Sequence, residues 1–180
     1  MQRSRNRRLD FEVDKLTNSI ENTLTGENLE TVIVRLGRDD LTTLRGLKWA
    51  FDWATELEEP HRKVHALMTK ENPSFWHGLV SSGDRGDHIF MYLIESAPSN
   101  KGHDKLYAGV AANMVAFLCM ESFEKGYRGV ISFDAKTRLI EHYEKTLGAK
   151  RFSYHGMLID SPEAYTLVKQ YYPDFHNDRL

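Results

Sequence analysis

The sequence predicts an α/β fold: a mixed, mostly antiparallel sheet that carries one parallel β-α-β unit and is flanked by helices. Three observations predict it. Residues 64–68, 74–82 and 88–96 read as strands, and the GDRGD turn at 83–87 joins the last two, so an antiparallel meander is expected. Residues 109–125 form an unbroken helical stretch. Ala112, Val115, Ala116, Cys119 and Phe123 fall on one face of it, and Gly126 ends it. Residues 129–134 (GVISFD) then read as a strand only a few residues on. A strand–helix–strand connection within one sheet is parallel and right-handed.

The remaining elements follow in chain order. Residues 1–8 hold four arginines and read as a solvated tail, with contact to phosphates as the alternative. Residues 9–180 read as a single domain. Residues 31–36 (TVIVRL) are β-branched and predict a strand. Asp39 or Asp40 is placed to cap a helix carrying Leu41, Leu44 and Leu47. Trp49 and Trp53, four apart, extend that helix through Ala54. The period-two spacing of Trp49, Phe51 and Trp53 is the competing strand signal. Residues 98–105 are a polar loop. Residues 137–147 predict a helix stopped by Gly148, and residues 151–160 a last strand or hairpin. The final helix spans 161–172, with Ser161 as its cap, Pro162 at the first helical position and Glu163 in the first turn.

Composition excludes several function classes. The net charge is −2, from 24 basic and 26 acidic residues. No one-sign field is implied, which argues against a strong nucleic-acid binder. The one cysteine, Cys119, permits no intrachain disulfide and fits a reducing compartment. The N-terminus lacks the apolar core of a secretory signal, and no run approaches the ~18 apolar residues of a membrane span. A soluble, cytoplasmic protein is expected.

The sharpest local feature is residues 105–114, KLYAGVAANM, where a strand hands over to the long helix. A helix N-terminus has unpaired N–H groups and partial positive charge, so it holds a phosphate if side chains leave room. Gly109, Ala111 and Ala112 leave room, and Gly109 permits unusual dihedrals. Small residues there also serve close packing of helix on sheet.

Residues 109–152 resemble the GNAT acetyltransferase family. Its Q/R-x-x-G-x-G/A loop opens the long helix after the fourth strand, and Gly109 and Ala111 match its two small positions. The first position falls on Leu106, a departure, flanked by Lys105 and Tyr107. The family's next helix ends in a Y-x-K-x-G-F phrase. Here Tyr143, Lys145 and Gly148 match it with one extra residue, and Ala149 replaces the aromatic. An asparagine that often opens that helix is replaced near Lys136. The phrase L-I-E-H-Y-E-K-T-L-G-A is similar to that of bacterial GNAT-like proteins. The resemblance implies a GNAT fold and acetyl-CoA as cofactor. It places the pyrophosphate on the amides of Gly109, Val110, Ala111, Ala112 and Asn113, with Lys105, Tyr107 and Lys136 alongside.

Amine acetylation needs alignment, a base for the amine and an acid for the leaving thiolate. The resemblance implies that Tyr143 is the acid, and the extra residue keeps His142 open as a substitute. Glu95 is the candidate base, because the family places a carboxylate on that strand. Strand alternation also sets it on one face with Met91 and Leu93, where desolvation raises proton affinity. His61 and His65 stand four apart, but no HExxH or other zinc spacing is present. There is neither a Walker phosphate loop nor a G-x-S-x-G elbow. Cys119, mid-helix among apolar residues, reads as core. An N-acetyltransferase acting on a small-molecule or protein amine is therefore expected, with a homodimer admitted as its assembly. A non-catalytic GNAT-fold binding protein and a GNAT-type toxin acting on a tRNA-linked amine are the alternatives.

Overall fold

The computed structural model describes residues 8–14 and 19–177. Of the basic tail expected at residues 1–8, only Arg8 lies within them. Strands β1 (Ile20–Asn22) and β2 (Asn28–Leu29) form a hairpin. After β3 (Thr31–Arg35) come the short helices α1 (Leu41–Gly46) and α2 (Trp53–Glu58). The meander follows as β4 (Lys63–Thr69), β5 (Gly78–Asp84) and β6 (Ile89–Ser96). Then come β7 (Tyr107–Ala108), the long helix α3 (Val110–Glu124) and β8 (Ile131–Asp134). The chain closes with α4 (Ile140–Leu147), β9 (Lys150–Arg151), β10 (Gly156–Ile159) and α5 (Ser161–Tyr171).

The main sheet has the order β3-β4-β5-β6-β8-β10-β9. Every pairing is antiparallel except β6 with β8. That parallel pair flanks α3, so the expected β-α-β unit is present. Its pairing is brief: Ile89↔Ile131 and Phe90↔Ser132 only. Immediately afterwards β6 carries a bulge. Ser81 pairs with Leu93 and Ser82 with Met91, so Tyr92 is the extra residue. A bulge bends and twists its strand, and β6 parts from β8 beyond it.

Two helix layers enclose the sheet. Gly78 pairs with Ser96 and Leu79 with Glu95, so Gly78 and Glu95 look to opposite faces. A Cβ at Gly78 would lie 2.6 Å from Met114 Cε and 2.8 Å from Val110 Cγ1, so α3 covers that face closely. The Trp53 indole of α2 donates to Glu95 on the other face. Sequence periodicity marked one apolar stripe on α3, but its Leu118, Met114 and Ser122 are buried too. The reason is α5, whose Ala164, Leu167, Val168 and Tyr171 pack inward over α3. Among the described residues no helix is long and apolar enough to cross a membrane.

Three sequence expectations need correction. The helix does not continue through Ala54: α1 ends at Gly46, and α2 starts afresh at Trp53, capped by the Asp52 carboxylate accepting from Thr55 N. The break has a tertiary cause, because Glu95 accepts from the N–H groups of Ala50 and Phe51 that a helix would use. The strand expected over 74–82 begins only at Gly78. The last helix is capped by Asp160, whose side chain accepts from Ser161 N, and not by Ser161.

Candidate active site

The parting of β6 from β8 leaves the β6-facing edge of β8 without a strand partner beyond Ser132. Residues 8–14 take that edge. Leu9 N donates to Asp134 O, and Lys136 N donates to Leu9 O, a parallel bridge to Ala135. The other edge of the same stretch belongs to β10 and its approach, where Ala135 N donates to His155 O. The segment then meets α4, where the Tyr143 hydroxyl donates to Phe11 O at 2.7 Å and Val13 N donates to His142 Nε2 at 2.9 Å. It ends at the mouth of α3. There Gly109 N donates to the Asp14 carboxylate at 3.1 Å, and Lys105 Nζ pairs with the same carboxylate at 2.9 Å.

Gly109 caps α3 in the left-handed region, with φ 86°. Only glycine adopts that turn without strain. The turn aims the Gly109 amide outward, and a carboxylate accepts from it. The Gly109 amide at the mouth of α3 thus holds an anionic oxygen, as helix N-termini do in general.

Beside this seat lies a cavity of about 590 Å3, lined by Phe11 and Asp14, by Glu95 and Lys101, and by Val110 and Ala111 of α3. Glu95 is 3% exposed. Its carboxylate accepts from Ala50 N at 2.8 Å, Phe51 N at 3.3 Å, Trp53 Nε1 at 2.7 Å and Lys101 Nζ at 2.7 Å. Four donors therefore engage the lone pairs of this one side chain, which ties the loop before α2 and the loop after β6 to the cavity floor. Asn100 of the latter loop is held by His77, donating from Nδ2 to His77 O. Burial pushes His77 down to about 4, so its ring is neutral near pH 7.

The sequence-predicted residues divide into two groups. Lys105, Val110, Ala111 and Glu95 line the cavity, and Gly109 joins them through its bond to the lining residue Asp14. Tyr143 and Lys136 reach the same place from the β8 side through residues 8–14: Tyr143 stacks on Phe11 at 4.6 Å, and Lys136 pairs with Asp10. Tyr107, Ala112 and Asn113 point their side chains elsewhere. Tyr107 meets the His77 ring edge-on at 4.6 Å. Ala112 is fully buried, and Asn113 donates to Thr31 Oγ1 and accepts from the Tyr172 hydroxyl. Consecutive residues on a helix lie about 100° apart around its axis, yet the side chains of both His142 and Tyr143 reach residues 11–13. Burial raises the Tyr143 hydroxyl well above the usual phenol range, so it stays protonated as a donor.

Residues the sequence reading passed over are Asp14, Phe11, Asp10 and Lys101. A signal existed for the first three. Residues 9–14 read L-D-F-E-V-D, a strict apolar–acidic alternation that marks a half-buried strand. Leu9 and Val13 are buried accordingly. Among the described residues no cluster of three His, Cys, Asp or Glu side chains is placed to hold a metal ion.

No family sequence model matches the chain, and no curated protein matches it in sequence. Solved structures match it in fold. Mutant forms of the spermidine/spermine N-acetyltransferase SpeG from Vibrio cholerae superpose with a TM-score of 0.55 at 12% identity, covering 76% of this chain and 97% of that one. An alanine N-acetyltransferase of a ribosomal protein from Escherichia coli gives 0.51 at 13% identity, covering 72% and 92%. The chain has the GNAT N-acetyltransferase fold. A third GNAT-fold structure, AtaTR bound with AcCoA, gives 0.53 at 12% identity, covering 77% and 98%. These GNAT structures are covered almost whole, whereas about a quarter of this chain lies outside the shared fold.

Proposed function

We propose that the protein is an N-acetyltransferase that transfers an acetyl group directly from acetyl-CoA to an amine. One observation carries the reading: the parallel pair β6–β8 opens after two residues, and the left-handed Gly109 turn at its mouth already holds an anionic oxygen. The residues fit the cofactor on that ground. The amides opening α3 at Gly109, Val110, Ala111 and Ala112, with Lys105, would hold its pyrophosphate, whereas the Asn113 amide is already given to Gly109 O. Lys136 completes the proposed set from the β8 side, and Tyr107, turned to the His77 ring, drops out of it. When bound, acetyl-CoA supplies an acyl group already activated as a thioester.

The chain's own residues do the rest. Tyr143, kept protonated by burial, donates the proton that a leaving thiolate takes up. Glu95, at the end of β6 on the cavity wall, takes the proton of the acceptor amine. Its lone pairs are engaged, so one donor must yield first, and Lys101, 45% exposed in its side chain, is the one facing water. A polyamine, an alanine amine or another small-molecule or protein amine all suit this reading, which names the chemical class only. The binding-only alternative is favoured by one observation, the presence of residues 8–14 in the opening.

The test is calorimetric titration of the full chain with coenzyme A, then with a Gly109→Glu variant shown to be folded by circular dichroism. The variant places a carboxylate and a side chain in a glycine turn, and binding is expected to be lost. Unchanged affinity in the variant removes the α3 assignment. Binding without turnover over an amine panel selects the binding-only alternative.

A further inference from the structure

We propose that residues 8–14 are an intramolecular strap that closes the cofactor cleft and must leave it before coenzyme A enters. The proposal rests on the acyltransferase reading and specifies how that site is regulated.

The strap touches four groups to which the reading gives a task, Gly109, Lys105, Lys136 and Tyr143, and the alternative acid His142. Asp14 takes the Gly109 amide and Lys105, the proposed phosphate seat. Asp10 takes Lys136, with Arg138 Nη2 at 3.8 Å. Phe11 O takes the hydroxyl of Tyr143, and Val13 N donates to His142. The Leu9 backbone fills the edge of β8 that β6 vacates. The pattern of charge explains the fit. In L-D-F-E-V-D the odd positions are apolar and the even ones acidic. Alternation along a strand sends them to opposite sides. The apolar set goes inward, Leu9 and Val13 buried and Phe11 stacked on Tyr143 at 4.6 Å. Two of the acidic set meet cations that would otherwise face a polyanionic cofactor. A carboxylate on a glycine amide and a lysine reproduces the local chemistry of a phosphate oxygen there. Strap and cofactor therefore compete for one set of donors, and the apparent affinity for cofactor falls with the fraction of molecules whose strap is out.

The strap is held by separate weak ties, so removing one shifts the balance without dismantling the core. Asp14→Ala removes the carboxylate that joins Gly109 and Lys105. Losing a charge-assisted tie corresponds to tenfold or more in the strap equilibrium, so coenzyme A is expected to bind on the order of tenfold tighter to this variant than to the wild-type chain. Hydrogen exchange on the full wild-type chain provides the second readout. Saturating coenzyme A should speed exchange of the amides of residues 8–14, including Leu9 and Val13, while slowing those of residues 109–113. If coenzyme A binds wild type and Asp14→Ala equally, and exchange at 8–14 is unchanged or slower, the strap proposal is overturned and the acyltransferase reading survives. If coenzyme A binds neither folded protein, both fall together.

Discussion

Tyr143 is fully buried, stacks on Phe11 and meets Phe133 edge-on at 5.5 Å, and its hydroxyl donates to Phe11 O. Tyr143→Phe deletes that oxygen and keeps the stack. The expected cost in stability is therefore small, about 1 kcal/mol, read from the urea midpoint. The expected cost in turnover is on the order of 10²-fold or more if the hydroxyl is the acid. Affinity for coenzyme A should not fall, because the lost bond ties down the strap and not the cofactor. Full turnover in this variant, with chemistry shown to limit the rate, transfers the role to His142, whose ring faces the same segment. Sequence reasoning reached Tyr143 and Glu95 by motif and by strand alternation, both local properties. It did not reach their partners. Tyr143 binds a carbonyl 132 residues away, and Glu95 is engaged by donors 42 to 45 residues earlier in the chain. Such contacts leave no trace in local spacing.

At the scale of elements, the meander and the β-α-β unit were legible because each declares itself by period and by punctuation. The 83–87 turn, Gly126 and Gly148 all fall where strands or helices change over, and Gly148 ends α4 in the left-handed region at φ 64°. The stretch from Trp49 to Trp53 was not legible. Its two tryptophans have helical spacing, but Glu95 captures the Ala50 and Phe51 amides, and a tertiary carboxylate outcompetes the local helix. The hairpin β1–β2 was missed as well. It pairs with β7, some 85 residues away (Glu21↔Ala108, Asn22↔Tyr107), and its strands are only three and two residues long. The joint between elements that most affects the site is Gly78 under the first turns of α3. Gly78→Ala sets a methyl 2.8 Å from the stiff Val110 Cγ1 as well as against the flexible Met114 tip. A loss of about 1–3 kcal/mol is expected from overpacking, along with weaker coenzyme A binding as the Gly109 turn is displaced. Adding Val110→Ala makes room at the stiffer contact. A double-mutant cycle in urea should then show positive coupling, and purely additive costs would mean that the helix does not approach the sheet here as closely as described.

The whole molecule responds to acid through histidines that its layers shut away. His77 lies beneath the loop after β6, between Phe75 and Tyr107, and is 2% exposed. His65 lies on β4 against Phe117 of α3 and is 6% exposed. Burial lowers both, His77 from 6.5 to about 4. For His65 the nearby Glu121 opposes the shift, and Lys63 and Arg35 reinforce it. Through His77 the unfolded chain therefore binds more protons than the folded one between pH 6.5 and about 4, and His65 adds to the difference below 6.5. Stability rises with pH wherever the unfolded state binds more protons. The contribution of His77 is thus present above pH 6.5, is lost as pH falls towards 4, and changes no further below that, and His65 contributes in the same direction. For His77 alone, a shift from 6.5 to about 4 corresponds to a loss on the order of 3 kcal/mol. The same titration bears on the cavity. Asn100 Nδ2 lies 3.3 Å from His77 Nδ1 and also donates to His77 O, so a proton on that ring nitrogen sets donor against donor beneath the loop that carries Lys101. Urea denaturation at pH 7.5, 6, 5 and 4.5 should show stability falling steadily in the wild-type chain. In His77→Gln, which cannot take up a proton, the fall should be shallower by up to about 3 kcal/mol across that range, though the variant starts lower at pH 7.5 for want of the ring's packing. Parallel curves for the two proteins would show that His77 takes up its proton without hindrance in the folded state. The loop over the cavity would then be held by contacts other than the neutral ring.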